Sequence, residues 1–259
     1  LLPSKEGHLR RIAFAQLALP NYPDLVAAMK KPEDELGRLS RALPLWLAEA
    51  FYFSPSYHPV AAVAVMNPPD GAPAHLMIFG AEWTTENLRQ LADTSGNGLD
   101  FIVTGALRVH AGDYEALLRV WEVKTFRERK TFTARWTPAT ADEALAKLHG
   151  DVRAYMEWSP DSAAFAYVPT AKPRAWLDTL GGSLGLFLVD KNVIPLAAIS
   201  PSAEVLAHAT QHAAAGEAAS FAFLTTRARI SKLDATVVVS GDVTLARSPL
   251  VNEAKKIFV

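Results

Sequence analysis

The chain has 259 residues, half of them apolar and a fifth charged, with a formal net charge of −1. That length suits one large domain or two small ones, either with a real core, and the near-neutral balance supplies no field to gather nucleic acid or acidic lipid. Cysteine is absent, which excludes disulfide frameworks, thiolate zinc sites and cysteine nucleophiles and fits an exported protein slightly better than a cytosolic one.

The chain opens Leu1-Leu2-Pro3 without a methionine, as expected of a processed or trimmed product. Its longest apolar run, Leu184 to Ile199, is interrupted by Asp190, Lys191 and Pro195 and falls short of the roughly 18 residues a spanning helix needs. A soluble product without a membrane span is expected, with room left for a removed signal peptide or anchor.

Residues 11–19, RIAFAQLAL, form an apolar run that predicts a buried first strand. A helix follows from about Pro32: proline suits its first turn, and Glu33, Asp34 and Glu35 complement the positive end of the helix dipole. Leu36, Leu39, Leu43, Leu47 and Ala50 then recur as one stripe, and Pro44 within it predicts a kink or a restart. Residues 59–66, PVAAVAVM, predict a second buried strand closed by the turn residues 67–71, and His75 to Phe79 another short one. Thr84 or Thr85 can cap a helix running to about Asp93, with Gly96 ending it.

Residues 101–136 carry the clearest pattern. Alternation from Phe101 to His110, the hairpin turn Gly112-Asp113, a returning strand through Leu118, Val120 and Trp121, and a third strand to Trp136 predict an antiparallel meander. Thr140-x-x-Glu143 reads as a capping box opening a helix whose Leu145, Leu148, Val152 and Tyr155 share one face. Residues 159–173, with three prolines, read as a linker. Beyond them the pattern turns helical. Leu177, Leu180, Leu184 and Phe187 form a stripe, Ser200-Pro201 opens a second helix that stops near Gly216, and Phe221, Leu224 and Ala228 line a third. These Ala-rich helices suggest hairpins of a helical repeat, although no clean 34-residue self-match supports one. Residues 235–247 suggest a small hairpin around Gly241-Asp242. This half is either helical with that hairpin or a second α/β lobe.

The expected fold is α/β (α+β): a mixed sheet ending in an antiparallel meander covered by helices over residues 1–158, a linker over 159–173, and a mainly helical region over 174–259. The meander resembles the closing part of the TolB amino-terminal-like domain, also seen in relatives of the curli-secretion lipoprotein. The resemblance is carried by the Thr104-Gly105 pair, the Gly112-Asp113 hairpin and the strand Leu118, Val120, Glu122, Val123, with the first strand, long helix and second strand in the same order. The second turn departs from the pattern, with Lys124-Thr125-Phe126-Arg127 where Thr-Gly is usual. The resemblance implies a binding and assembly module without a catalytic centre, of the kind found in the bacterial envelope alongside helical repeats, propellers or signalling domains.

Three candidate chemistries compete with that expectation. Gly181-Gly182-Ser183-Leu184-Gly185 matches the nucleophile elbow of serine hydrolases, with Asp190 and His208 or His212 following in triad order. The elbow needs a strand, a sharp turn and a helix, whereas the preceding WLDTL continues a helical stripe, so the glycines read as a close helix approach or a break. Glu204, His208 and His212, spaced by four, share one side of a helix and can be weighed as metal ligands; Ala209 to Gln211 stand where a zinc protease carries its glutamate, and a polar stripe on the exposed face of an Ala-rich helix is the favoured reading. Ser95-Gly96-Asn97-Gly98 precedes a strand rather than opening a helix, which is wrong for a dinucleotide loop. The aromatic cluster Trp46, Phe51, Tyr52, Phe53 and Tyr57 reads as core and lid packing, with a small-molecule groove as its alternative.

Lys124, Arg127, Arg129 and Lys130, interrupted by Glu122 and Glu128, read as a solvated turn rather than a phosphate site. Trp121, Trp136, Arg127 and Arg129 are the expected partner contacts, provided that one face or edge of the meander stays uncovered. The expectation is a non-catalytic interaction or scaffold subunit that uses no cofactor and engages protein partners in an envelope or multi-subunit complex.

Overall fold

The computed structural model describes residues 9–69, 71–96, 98–160, 167–238 and 243–258. In chain order the elements are β1 (Arg10–Ala15), α1 (Leu25–Ala28), α2 (Glu35–Tyr52), β2 (Tyr57–Ala62), β3 (Val65–Met66), β4 (His75–Leu76) and α3 (Thr85–Thr94). The meander β5 (Phe101–His110), β6 (Asp113–Glu122) and β7 (Arg127–Trp136) follows, then α4 (Ala141–Tyr155), α5 (Pro173–Asp190), α6 (Ser202–Gln211), α7 (Glu217–Leu233) and α8 (Pro249–Phe258). The protein is mixed α/β. The chain divides into two compact units: one holds residues 1–23, 43–63 and 79–173, the other residues 24–42, 64–78 and 174–259.

In the first unit a five-stranded sheet runs in the order β2-β1-β5-β6-β7. β1 pairs in parallel with β2 and β5, and the meander strands pair antiparallel. The β5–β6 hairpin turns through Ala111 and Gly112, with φ of 51° and 89°; positive φ at both central residues matches the twist of the strands it joins. A register shift between Val120 and Trp121 marks a bulge on the β6–β7 side.

Alternation assigns the two sheet faces. Ala13, Ile102 and Trp121 lie on the face where α3 packs its Leu88 and Ala92. Thr84 caps α3 through a reciprocal capping box with Asn87, and Gly96, at φ 74°, follows its end, as the sequence predicts. Phe14, Gly105, Leu118 and Phe132 lie on the opposite face. There Phe51 of α2 meets Phe14 edge-on at 5.1 Å, and Tyr155 of α4 meets Phe132 at 5.8 Å. Two buried faces keep residues 12–15 of β1 and, apart from Thr104, residues 101–107 of β5 apolar.

Four local expectations are corrected. α2 runs unbroken through Pro44 rather than restarting there, because Leu43, Trp46, Leu47 and Phe51 are all buried and packing outweighs the lost backbone bond. The run 59–66 splits: β2 belongs to the large sheet, while Val65-Met66 pairs with His75-Leu76 in the other unit. Thr140 makes no side-chain cap on α4; at φ −107°, ψ 5° it is not extended, and its hydroxyl accepts from the Thr137 N–H instead, at 3.0 Å. Tyr155 is exposed, whereas Leu145, Leu148 and Val152 are buried as expected.

The second unit contains the β3–β4 ribbon, the first turns of α2, and α5 to α8. α5 corrects the sequence stripe. Its buried side carries Trp176, Leu177, Gly181, Gly182, Gly185, Leu186 and Val189, and Phe187 points outward. The glycines decide this: a Cβ on Gly182 would approach Val205 to 2.7 Å and one on Gly185 would approach Ile199 to 3.0 Å, while Gly181 leaves room for the Arg38 side chain. Neighbours closer than a side chain allows select the glycine side, against the order of side-chain size. In α7 the buried residues are Ala219, Ser220, Phe223, Leu224, Thr226 and Ile230, so of the predicted trio only Leu224 is fully inside. α8, which the sequence reading left unassigned, buries Val251 and Ala254. The apex of the suggested hairpin, Gly241-Asp242, lies outside the described residues, and its flanks 235–238 and 243–247 contain no strand.

Candidate interaction surface

The meander presents side chains of alternating charge on the face that α3 shares, away from α3's own contacts. Register places Arg108 opposite Glu115, Glu115 opposite Arg135, and Arg119 opposite Thr131. These side chains and Glu82, from the loop before α3, form one continuous ladder. Arg135 donates to Glu115 at 2.5 Å and Arg108 to Glu115 at 3.2 Å; Arg108 and Arg119 both donate to Glu82, at 3.0 and 2.8 Å, and Arg119 also donates to Glu128 at 2.9 Å. The hydroxyl of Thr131 donates to Glu128.

The ladder is half-buried, with side-chain exposures between 24% and 35% for all members except Arg135, at 79%. Hydrogen bonding from Arg135, with help from Arg108, holds the Glu115 carboxyl below its ordinary range, and bonding to Glu82 holds the Arg119 guanidinium above its own. Glu82 is anchored by its neighbour: Trp83 packs on the α3 core and donates its indole N–H to the Gln16 carbonyl at 3.1 Å.

The predicted contact residues divide. Trp121 is half-buried beside the ladder and donates to Thr104 Oγ1 at 2.9 Å. Trp136 is only 4% exposed and stacks on Tyr114 with centroids 5.6 Å apart, so it is packing rather than a contact surface. It falls on the face that the helices cover, which alternation from Gly105 through Leu118 dictates. Arg129 is exposed and grips both oxygens of Glu122 at 2.8 and 2.9 Å, and Arg127 is exposed at the start of β7.

Arg108 and Arg119 were legible as polar alternates of a half-buried strand. Glu82, which joins them, carries no sequence signal, since it lies outside any periodic segment. Tyr167, read as linker, packs within 5.8 Å of His149 and 5.7 Å of Phe53. His149 stacks on Trp46 at 4.1 Å, and its Nε2 is 3.3 Å from the Tyr167 hydroxyl. Burial, followed by the nearby Arg153 charge, pushes His149 down to about 3, and burial pushes the Tyr167 hydroxyl up. The aromatic residues of α2 are therefore core and strap packing.

Several residues of the alternative catalytic and metal sets are engaged elsewhere. Ser183 lies in the middle of the 18-residue helix α5, without the strand and sharp turn of an elbow, and its hydroxyl accepts from Arg229 at 3.3 Å. Asp190 is bound by Lys232 at 2.5 Å. Glu204 pairs with Arg38 at 3.1 Å, and His212 lies past the end of α6 as its C-cap. Among the described residues no three His, Cys, Asp or Glu side chains converge as a metal site, and no helix is long and apolar enough to cross a membrane.

No protein-family model matches the sequence, and no curated protein matches it. Among solved structures, the chain is similar to TolB from Acinetobacter baumannii, at 10% identity over 61% of this chain and 30% of that chain, with a TM-score of 0.32. It is also similar to a PelC dodecamer from Paraburkholderia phytofirmans, at 8% identity over 61% of this chain and 94% of that chain, with a TM-score of 0.34. The chain thus spans about 30% of the length of that TolB. Both likenesses are of coarse fold, and neither assigns the chain a family.

Proposed function

We propose that the chain is a non-catalytic protein–protein interaction subunit of a larger assembly, associated with the bacterial envelope, and that the ladder face of the meander receives the partner. The observation that carries this reading is the continuous chain from Arg135 through Glu115, Arg108, Glu82 and Arg119 to Glu128. Its side chains are already partly out of water and fixed by one another, so a partner covering them orders little that is loose. The fixed sequence of alternating charges supplies register and selects against wrong partners. Trp121, half-buried against the α3 core at the margin of the ladder, is an aromatic residue of the kind enriched at such contacts. The envelope assignment rests on the resemblance of residues 101–136 to the TolB amino-terminal-like pattern and on the lack of cysteine. Neither a cofactor nor a nucleophile is needed for this role.

Photo-crosslinking in the native cells tests it. With p-benzoylphenylalanine in place of the exposed Thr133, on the ladder face, one discrete protein adduct is expected, lost when Arg119→Glu is added. The same group in place of Lys147, exposed on α4, is expected to give none. No adduct at Thr133, or the same adducts from both positions, overturns the reading.

A further inference from the structure

The second unit carries a separate surface around Phe187. This ring projects from α5 and is 40% exposed. Two cations flank it: the Arg229 guanidinium from α7 lies 5.5 Å from the ring centroid and the Lys191 ammonium 5.8 Å. Such contacts hold an aromatic ring in place while leaving the charges able to bind elsewhere. Arg229 is fixed further by its bond to Ser183, at 3.3 Å. A third cation, Lys232, reaches Asp190 at 2.5 Å. Asp190 is held below the ordinary carboxyl range first by Lys232 and then by Lys191 and Arg229, which places all three cations around one acid. Val193, just past the end of α5, is 38% exposed.

A half-exposed aromatic ring collared by cations is costly to leave in water and is a common anchor at protein contacts, where aromatic residues and arginine are enriched. The local charge, three cations against one acid, is positive on a chain whose net charge is −1. The geometry points to a docking surface for an acidic protein segment, one that lays an apolar side chain on Phe187 and sets carboxylates against Lys191 and Arg229. An anionic bilayer fits less well: it needs a wide apolar stripe, and Phe187 is the one large apolar side chain of α5 exposed to this degree. The surface is independent of the meander ladder, so either can fail without the other.

The test uses fluorescence anisotropy of the intact chain with a labelled hexapeptide, Glu-Glu-Leu-Phe-Glu-Glu, and its counterpart Lys-Lys-Leu-Phe-Lys-Lys. The acidic peptide is expected to bind, to weaken with added salt, and to lose about tenfold in affinity with Phe187→Ala or with Lys191→Glu. Lys191 is exposed, so its variant keeps the test sound if Phe187→Ala disturbs α5. Equal binding of the two peptides overturns the inference, as does no binding of the acidic peptide at about 1 mM. Unchanged affinity in both variants overturns it too, and so does variant-sensitive capture of phosphatidylserine vesicles with the acidic peptide inert.

Discussion

Gly105 pairs with Leu118 across β5 and β6 so closely that a Cβ at residue 105 would collide with the backbone carbonyl oxygen of Leu117. This glycine is needed for space, on the face where the sheet meets its helices. Gly105→Ala is expected to destabilise the protein by about 3 kcal/mol, because backbone rather than a flexible side chain must move. Gly112→Ala meets no atom within 4 Å and should cost only about 1 kcal/mol for its left-handed backbone. Urea unfolding of the two variants measures the difference, and equal losses would refute the crowding.

At the tip of the same hairpin, Ala111 holds φ 51°, a conformation that alanine adopts at a cost of about 1 kcal/mol. Ala111→Gly is therefore expected to raise stability slightly, by up to about 1 kcal/mol. A fall in the urea midpoint would mean that the turn is not left-handed at that residue.

His149 makes stability depend on pH. Its folded pKa of about 3 lies below the ordinary 6.5, so the unfolded chain binds the extra proton first as pH falls. The stability present above pH 6.5 is lost progressively on acidification towards pH 3. Between pH 7 and pH 5 the loss from this group is about 2 kcal/mol. His149→Phe keeps a ring against Trp46 and should unfold with a shallower pH dependence over that interval. Parallel curves for the two proteins would exclude His149 as the titrating group.

In the second unit Arg41 and Glu33 form an ion pair with side chains only 3% and 4% exposed. Arg41 also donates to the Met77 carbonyl at 3.4 Å. Burial pulls the Arg41 guanidinium down, to about 9. Removing one charge strands the other, so Glu33→Gln is expected to cost about 3–5 kcal/mol. The double variant Glu33→Gln, Arg41→Met should recover part of that loss. A double-mutant cycle on thermal unfolding reads the coupling, and additive losses would show that the pair does not act as one.

Much of the first unit was legible in the sequence. The first strand, though it ends at Ala15 rather than at residue 19, the Thr84 cap, the meander and its Gly112 turn were readable because period, capping and turn chemistry act over a few residues. Pro44 did not restart the helix, because its local cost is smaller than the gain from burying Trp46, Leu47 and Phe51 around it. Trp136 misled because alternation marks which residues share a face, but not which face the helices cover.

The chain's periodicity by itself determined that residues 10–158 pass through strand and helix into a three-stranded meander and a closing helix, since those signals are carried by neighbours along the chain. Tertiary structure alone decided that Glu82 would join Arg108 to Arg119, that glycines rather than Phe187 would turn inward on α5, and that Tyr167 would close over His149. Each depends on atoms far apart in sequence coming within a few ångströms, and short-range pattern carries no record of such meetings.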